Sequence, residues 1–169
     1  MRTDDAMPLG GARLALALVG LSAAMLAGVA GRSALAAEIV TLSQVACQFV
    51  ESENGVDHGF TTTRKADCEA INEKTAERRL AEARPLTLKA GEYVFRVENK
   101  DVPYELGFWL REKGYDWRNP LHKLSKVSVS GGGLTAGTTK DYAVTLAPGE
   151  YVYSCPLNTT PDYRLVVEE

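Results

Sequence analysis

The chain has 169 residues, of which 19 are Lys or Arg and 22 are Asp or Glu, so its formal net charge at pH 7 is -3. No segment combines clustered basic residues with interleaved aromatic residues, the pattern with which proteins contact phosphates and stack on bases. The composition therefore argues against nucleic acid as a partner.

Residues 1–36 have the layout of a secretory signal peptide. Arg2 and Arg13 precede the uncharged apolar run LALALVGLSAAMLAGVA at 14–30, and SALA at 33–36 supplies an Ala-x-Ala cleavage site. We therefore predict a periplasmic or secreted protein. Because the apolar run is long for a signal core, an uncleaved anchor is the alternative, and only in that case is the membrane predicted as a partner.

The chain after the cleavage site begins with a predicted strand and a predicted helix. About 133 residues remain there, enough for one domain with its own core. EIVTLSQVACQFVES at 38–52 has apolar residues in loose alternation, which indicates a strand. RKADCEAINEKTAERRLAEAR at 64–84 is rich in helix-forming residues and stops before a proline, which indicates a helix. Only Cys68, Ile71 and Thr75 form its inner stripe, so burial alone would hold this helix weakly.

The three cysteines predict one disulfide and one free thiol, because an exported chain meets an oxidising compartment. A bond between Cys47 in the first strand and Cys68 in the helix would pin the two together. It would close a loop of about 20 residues and contribute roughly 3 kcal/mol of stability. Two separate thiols are the alternative.

From Pro85 onward, short alternating segments separated by turn residues predict strands. They are LTLKAGEYVFRVEN, YELGFWLRE, KVSVSGGGL, TKDYAVTL, APGEYVYSC and YRLVVEE, with the polar stretch KGYDWRNPLHKLS after the second. No helical pattern separates these strands, which argues against parallel βαβ units. We predict an all-β, antiparallel Greek-key β-sandwich of seven or eight strands with one inserted α-helix (about 64–84), and one domain at 38–169.

Two stretches resemble the cupredoxins, the small β-sandwiches of blue-copper proteins. The first is LTLKAGEYVFRVENKDVPYELGFWL at 86–110. The second is LAPGEYVYSCPLNTTPDYRLVV at 146–167, and this second stretch is similar to the family's lead-in strand and ligand loop. The resemblance implies a cupredoxin-like fold for the domain. It also implies that a type 1 copper site should be sought at the positions that match the family's ligands. Such a site consists of two imidazoles, a thiolate and a weak thioether.

Most of those ligand positions have changed. The family's loop runs Cys, two residues, His, four residues, Met, and counting from Cys155 this spacing falls on Asn158 and then on Tyr163. The upstream histidine position falls on Tyr104. Asn99 keeps the place of the asparagine that braces the ligand loop in the family. The scaffold is retained, and only the thiol of the copper set remains.

The remaining metal donors are Cys155 and the two histidines, His58 and His122. Either histidine could reach the thiol, but lone loop histidines are more often solvated, so no cofactor is expected and copper is the candidate that stays open. Three roles remain for Cys155: a structural residue in a pocket plugged by tyrosine and asparagine, a soft-metal ligand, or a redox-active thiol.

An aromatic cluster, Phe108, Trp109, Tyr115 and Trp117, is predicted to belong to the core and its lid, with a partner-docking face as the alternative. No Ser-His-Asp order or carboxylate pair supports an enzyme. The first hypothesis is a non-enzymatic binding or accessory module of a periplasmic redox or metal-handling system, with a periplasmic protein as partner. The second is a copper protein, an electron carrier or copper donor, that uses Cys155 with atypical ligands.

Overall fold

The computed structural model describes residues 36–169, so all but the last residue of the predicted signal peptide lies outside the described part. The described part contains nine strands, two α-helices and a short 3-10 helix at Glu51–Glu53. The strands and α-helices are β1 (Glu38–Val45), β2 (Gln48–Phe49), α1 (Lys65–Glu82), β3 (Leu86–Lys89), β4 (Gly91–Asn99), β5 (Leu106–Glu112), α2 (Pro120–Ser125), β6 (Ser128–Leu134), β7 (Thr139–Leu146), β8 (Gly149–Ser154) and β9 (Tyr163–Glu168).

The strands form two sheets with the core between them. One sheet has the order β2-β1-β4-β7 and the other has the order β3-β9-β8-β5-β6. The predicted all-β sandwich with an inserted helix is therefore confirmed. It differs from the expectation in strand number, with nine strands instead of seven or eight, and in pairing, because β1 pairs with β4 and β3 pairs with β9 in parallel. The long excursion through α1 allows the chain to return beside β1 in the same direction, which a short hairpin cannot do.

The core follows the two-residue period of the strands. In β4, Tyr93, Phe95 and Val97 are buried while the residues between them are more exposed. The ring of Phe49 packs edge-on against Phe108 from the opposite sheet, with ring centroids 6.1 Å apart. The alternation of buried and more exposed residues along β4 is the pattern from which the sandwich was predicted.

The predicted first strand at 38–52 is interrupted. β1 ends at Val45, and Cys47 adopts a left-handed backbone with φ of 65°. This conformation reverses the chain, so that β2 pairs antiparallel with the end of β1. The reversal brings Cys47 under α1.

The predicted helix at 64–84 is confirmed as α1. Asp67 stabilises its beginning, because the carboxylate accepts a hydrogen bond from the backbone N–H of Arg64 at 3.1 Å. Within α1, Cys68 and Arg79 are the buried residues, whereas Ile71 and Thr75 of the predicted stripe are only half-buried. Arg79 is thus a buried residue of this helix that the predicted stripe did not include.

The polar stretch after β5 contains a second helix, which the strand-dominated pattern did not predict. α2 begins with Pro120, and the side chain of Asn119 accepts a hydrogen bond from the backbone N–H of Leu121 at 3.0 Å. A proline at the first helical position and an asparagine cap are both helix-start signals. Neither helix among residues 36–169 combines the length and the apolarity needed to cross a bilayer.

Candidate functional site

Cys155 lies directly after β8 and is completely buried. Its Sγ accepts hydrogen bonds from the backbone N–H groups of Gly107 and Asn158, both at 3.3 Å. A Cβ at Gly107 would lie 2.7 Å from the carbonyl oxygen of Gly131 in β6, so a larger residue there would displace the strand that positions the N–H of Gly107. Gln44 in the opposite sheet also holds Gly107, donating from Nε2 to its carbonyl oxygen at 2.8 Å.

The thiol of Cys155 is in an environment that favours its neutral form. Burial raises the pKa of Cys155, and the backbone N–H donors of Gly107, Asn158 and Leu157 offset only part of this effect. Cys155 is therefore protonated at neutral pH. Protonation and burial both oppose reaction with solutes in solvent.

Asn158, at the position of the loop imidazole, is also completely buried, and both polar atoms of its side-chain amide are hydrogen-bonded. Its Nδ2 donates to the carbonyl oxygen of Val45 at 2.8 Å. Its Oδ1 accepts from the backbone N–H of Cys47 at 3.0 Å and from the hydroxyl of Tyr104 at 3.3 Å. The amide thus ties the ligand loop to the turn after β1 and to the loop before β5.

Tyr104, at the position of the upstream imidazole, completes this polar cluster. Besides its bond to Asn158, its hydroxyl lies 3.3 Å from Oγ1 of Thr62 and 3.6 Å from Sγ of Cys68. Burial raises the pKa of Tyr104, so the phenol stays neutral. Tyr104 and Asn158 therefore meet as predicted for a plugged pocket.

The disulfide predicted between Cys47 and Cys68 is confirmed and covers the cluster from the side of α1. A disulfide of this kind is typical of an oxidising compartment. Asn72, one turn further along α1, donates from Nδ2 to the carbonyl oxygen of Thr159 at 2.6 Å. The inserted helix thus holds the ligand loop directly, a role for Asn72 that the sequence did not indicate.

Tyr163, at the position of the thioether, does not join Tyr104 and Asn158. Its hydroxyl donates to Oε1 of Glu53. Glu53 also receives Nη2 of Arg79 at 2.6 Å, and Nε2 of His58 lies 2.7 Å from Oε2 of the same carboxylate. Glu53, Arg79 and Tyr163 form a buried polar cluster near the C-terminal end of α1, with His58 at its exposed edge. Arg79 extends the cluster by donating to the carbonyl oxygen of Cys47 at 3.0 Å.

The electrostatics of this cluster favour the ionised carboxylate. Burial alone would raise the pKa of Glu53, but the hydrogen bonds from Arg79, Tyr163 and His58 outweigh it and hold that pKa below its ordinary value. Burial and the adjacent Glu53 both raise the pKa of Tyr163. The cluster therefore contains a Glu53–Arg79 ion pair and a neutral phenol.

Acidification is expected to destabilise the fold through Glu53. A carboxyl group whose pKa is lower in the folded chain contributes stability that is present above the unfolded value of 4.5 and is lost as the pH falls toward the lowered pKa. Glu53→Gln removes this titration with little change of shape. Urea unfolding at about pH 7 and about pH 3 should show a smaller pH-dependent loss in the variant than in the wild type. Equal losses would contradict the assignment.

The two histidines are engaged away from Cys155. His58 contacts Glu53 as described, and its ring stacks on Phe60 with the centroids 5.6 Å apart. His122 lies in α2, where Nδ1 accepts a hydrogen bond from the backbone N–H of Asp116 at 2.9 Å. The structure therefore does not bring His122 to the thiol as a metal site would require.

Asn99 has a local role in this chain. Its Oδ1 accepts from the backbone N–H of Val102 at 2.9 Å, and its Nδ2 donates to the carbonyl oxygen of Leu134 at 3.1 Å. These bonds brace the β4–β5 loop against β6. The ligand loop is braced instead by its own Asn158, which bonds to Val45 and Cys47, and by Asn72 of α1.

The donor set around Cys155 does not fit type 1 copper. That site needs two imidazoles beside the thiolate, whereas here the amide of Asn158 and the phenol of Tyr104 already bond to protein groups. Throughout residues 36–169, no three or more His, Cys, Asp and Glu side chains are grouped so that they could hold a metal ion. The geometry is that of a hydrogen-bonded brace.

An open cleft of about 400 Å³ lies beside the ligand loop. Pro156 and Leu157 line one side, and Trp109 and Trp117 line the other. Of the predicted aromatic cluster, Phe108 is in the core, while Trp117 is exposed and Tyr115 packs between Trp109 and His122. The cluster is thus divided between core and surface.

The described part of the chain is a two-sheet β-sandwich with an inserted helix. A solved structure of auracyanin B is similar to it, with a TM-score of 0.46 and 16% sequence identity over 79% of this chain and 90% of that one. No protein-family model and no curated protein sequence matches the chain.

Proposed function

We propose that the protein is an exported, non-enzymatic binding or accessory module in which the ligand loop of a cupredoxin-like domain serves as a structural brace. One observation carries the proposal: the buried amide of Asn158 bonds to Val45, Cys47 and Tyr104 at the position of a copper imidazole. Opening this position to a metal would leave buried polar groups without partners, at a cost of about 1–3 kcal/mol for each group.

The surroundings of Cys155 support the absence of catalysis in this proposal. The thiol is completely buried, its pKa is raised by burial, and its hydrogen-bond partners are backbone amides. A catalytic cysteine needs thiolate character and access to substrate.

The apolar cleft formed by Trp109, Trp117, Pro156 and Leu157 supports a binding role, since such clefts are commonly used for recognition. The predicted partner is a protein of the exported compartment in a redox or metal-handling system.

A second candidate, a copper protein that uses Cys155, is favoured by one feature. The two backbone N–H groups that donate to Sγ would also stabilise a thiolate bound to copper. This function requires the loop to rearrange, because no imidazole is near the sulfur.

Copper titration decides between the two candidates. We expect the wild-type protein, treated with Cu(II) and separately with Cu(I), to bind less than one equivalent and to show no intense thiolate-to-copper absorption. Cys155→Ser, checked for an unchanged far-ultraviolet circular dichroism spectrum, should bind the same amount of metal as the wild type. Stoichiometric copper with a charge-transfer band that is lost in Cys155→Ser would overturn the proposal and establish the second candidate.

A further inference from the structure

The short helix α2 presents apolar side chains to solvent. Leu121 and Leu124 are 68% and 87% exposed. They are three positions apart in the helix and therefore lie on the same face. Side chains this exposed protrude from the surface, a shape suited to insertion into a soft layer rather than to filling a pocket of the same chain.

The surroundings of these leucines are basic, although the whole chain has a net charge of -3. Between positions 113 and 126 there are four basic residues and one acidic residue, Asp116. Lys113 and Lys126 pair with glutamates, whereas Arg118 and Lys123 take part in no ion pair within residues 36–169. Two cations therefore remain available beside the apolar face.

α2 also lies near the end of the sandwich at which the N-terminal segment joins the domain. The register pairs Glu38 with Tyr93 in β4, next to the start of that strand at Gly91, which pairs with Leu146. Ser125, the last residue of α2, lines a cleft with Ala147 and Pro148 just beyond Leu146. The start of β1 and the C-terminal end of α2 thus belong to one end of the fold.

From these three observations we propose that the α2 patch, formed by Leu121, Leu124, Arg118 and Lys123, contacts the surface of an anionic lipid bilayer. The leucines enter the region between head groups and acyl chains, and the two cations pair with lipid phosphates. This proposal is independent of the proposed function, because it uses none of the residues of the ligand loop.

Charge and position together favour lipid over an acidic protein face. Two protruding leucines and two cations give only weak binding on their own. The apolar run at 14–30, where it is retained, would tether the domain to a bilayer and supply a high effective concentration for the patch. A tethered patch then needs only to orient the domain, for which weak contacts are sufficient.

A dye on α2 tests the proposal in the full chain. Ser125→Cys provides an exposed thiol for an environment-sensitive fluorophore, while Cys155 is buried and the other two cysteines form the disulfide. Insertion of the N-terminal segment alone would bring the domain to the vesicle whatever residues α2 carries, so the signal is assigned to α2 only where changes within α2 reduce it. With vesicles of phosphatidylglycerol and phosphatidylcholine we expect a blue shift and an intensity increase that added salt weakens.

Matched variants separate the two components of the contact. Leu121→Ser/Leu124→Ser and Arg118→Gln/Lys123→Gln should each weaken the apparent vesicle affinity by about tenfold or more. Leu80→Ser, which alters an exposed leucine on α1, should leave it unchanged. An unresponsive dye, a response equal on pure phosphatidylcholine vesicles, or a response unaffected by either double variant would overturn the proposal. The first of these outcomes would direct attention to an acidic protein surface.

Discussion

Replacing Arg79 with leucine is expected to lower the free energy of unfolding by about 3–5 kcal/mol, because it leaves a buried carboxylate without its counter-ion. The side chains of Arg79 and Glu53 are only 1% and 3% exposed. Arg79 also bonds to Asn72, Thr75 and the carbonyl oxygen of Cys47. Urea unfolding of the two proteins at neutral pH measures the difference.

A surface ion pair provides the matched control. Arg96 and Asp141 also make two hydrogen bonds, but their side chains are 43% and 47% exposed. Arg96→Leu should therefore cost far less than Arg79→Leu, because an exposed ion pair contributes little to stability. The double variant Glu53→Gln/Arg79→Leu should lose less stability than the sum of the single changes, since the two residues act as one unit. A cost for Arg79→Leu no larger than that for Arg96→Leu would show that the buried pair contributes little.

The parts of the fold that were predictable are those that local patterns encode. Alternation in β4 shows in Tyr93, Phe95 and Val97, and the composition of α1 together with Pro85 after it indicated a helix. The spacing from Cys155 drew attention to Asn158, which the structure buries and hydrogen-bonds to Val45. These signals depend on neighbours in the chain, and so they can be recognised without knowledge of the tertiary structure.

The parts that could not be predicted depend on long-range contacts between polar groups. Glu53 and Arg79 are 26 positions apart, and both belong to residue types that are usually solvated. Tyr163 was placed in the ligand pocket by counting, yet its hydroxyl bonds to Glu53, 110 positions earlier. Counting from Cys155 matches Tyr163 to a ligand position of the family but does not identify what its hydroxyl binds. The hydroxyl binds Glu53, which lies outside the two stretches that carry the resemblance.

These contacts explain how a mostly charged helix is retained on the sandwich. α1 has 18 residues, but Cys68 and Arg79 are its buried ones, so apolar burial contributes little to its attachment. It is attached instead at three points: the disulfide at Cys68, the Asn72 bond to the ligand loop, and the Arg79 ion pair. Since the ligand loop bonds to the helix through Asn72, the helix and the loop should lose their order together.

Removing the disulfide by Cys47→Ala/Cys68→Ala is therefore expected to lower the free energy of unfolding by about 3 kcal/mol and to loosen α1 more than the sheets. The bond joins residues 21 positions apart and is the only disulfide among residues 36–169, where it ties α1 to the turn between β1 and β2. Urea unfolding gives the global change, and amide hydrogen exchange compares α1 with β4.

Reductant provides an internal control for this prediction. It should destabilise the wild type and have no effect on Cys47→Ala/Cys68→Ala, while Cys155→Ala should remain sensitive to it because Cys155 is not in the disulfide. The amide of Asn158 binds the backbone N–H of Cys47, so loosening this turn should also expose the thiol of Cys155 to alkylation. If α1 kept its exchange protection without the bond, the Arg79 and Asn72 contacts would suffice to hold it, and the disulfide would act mainly on the unfolded chain.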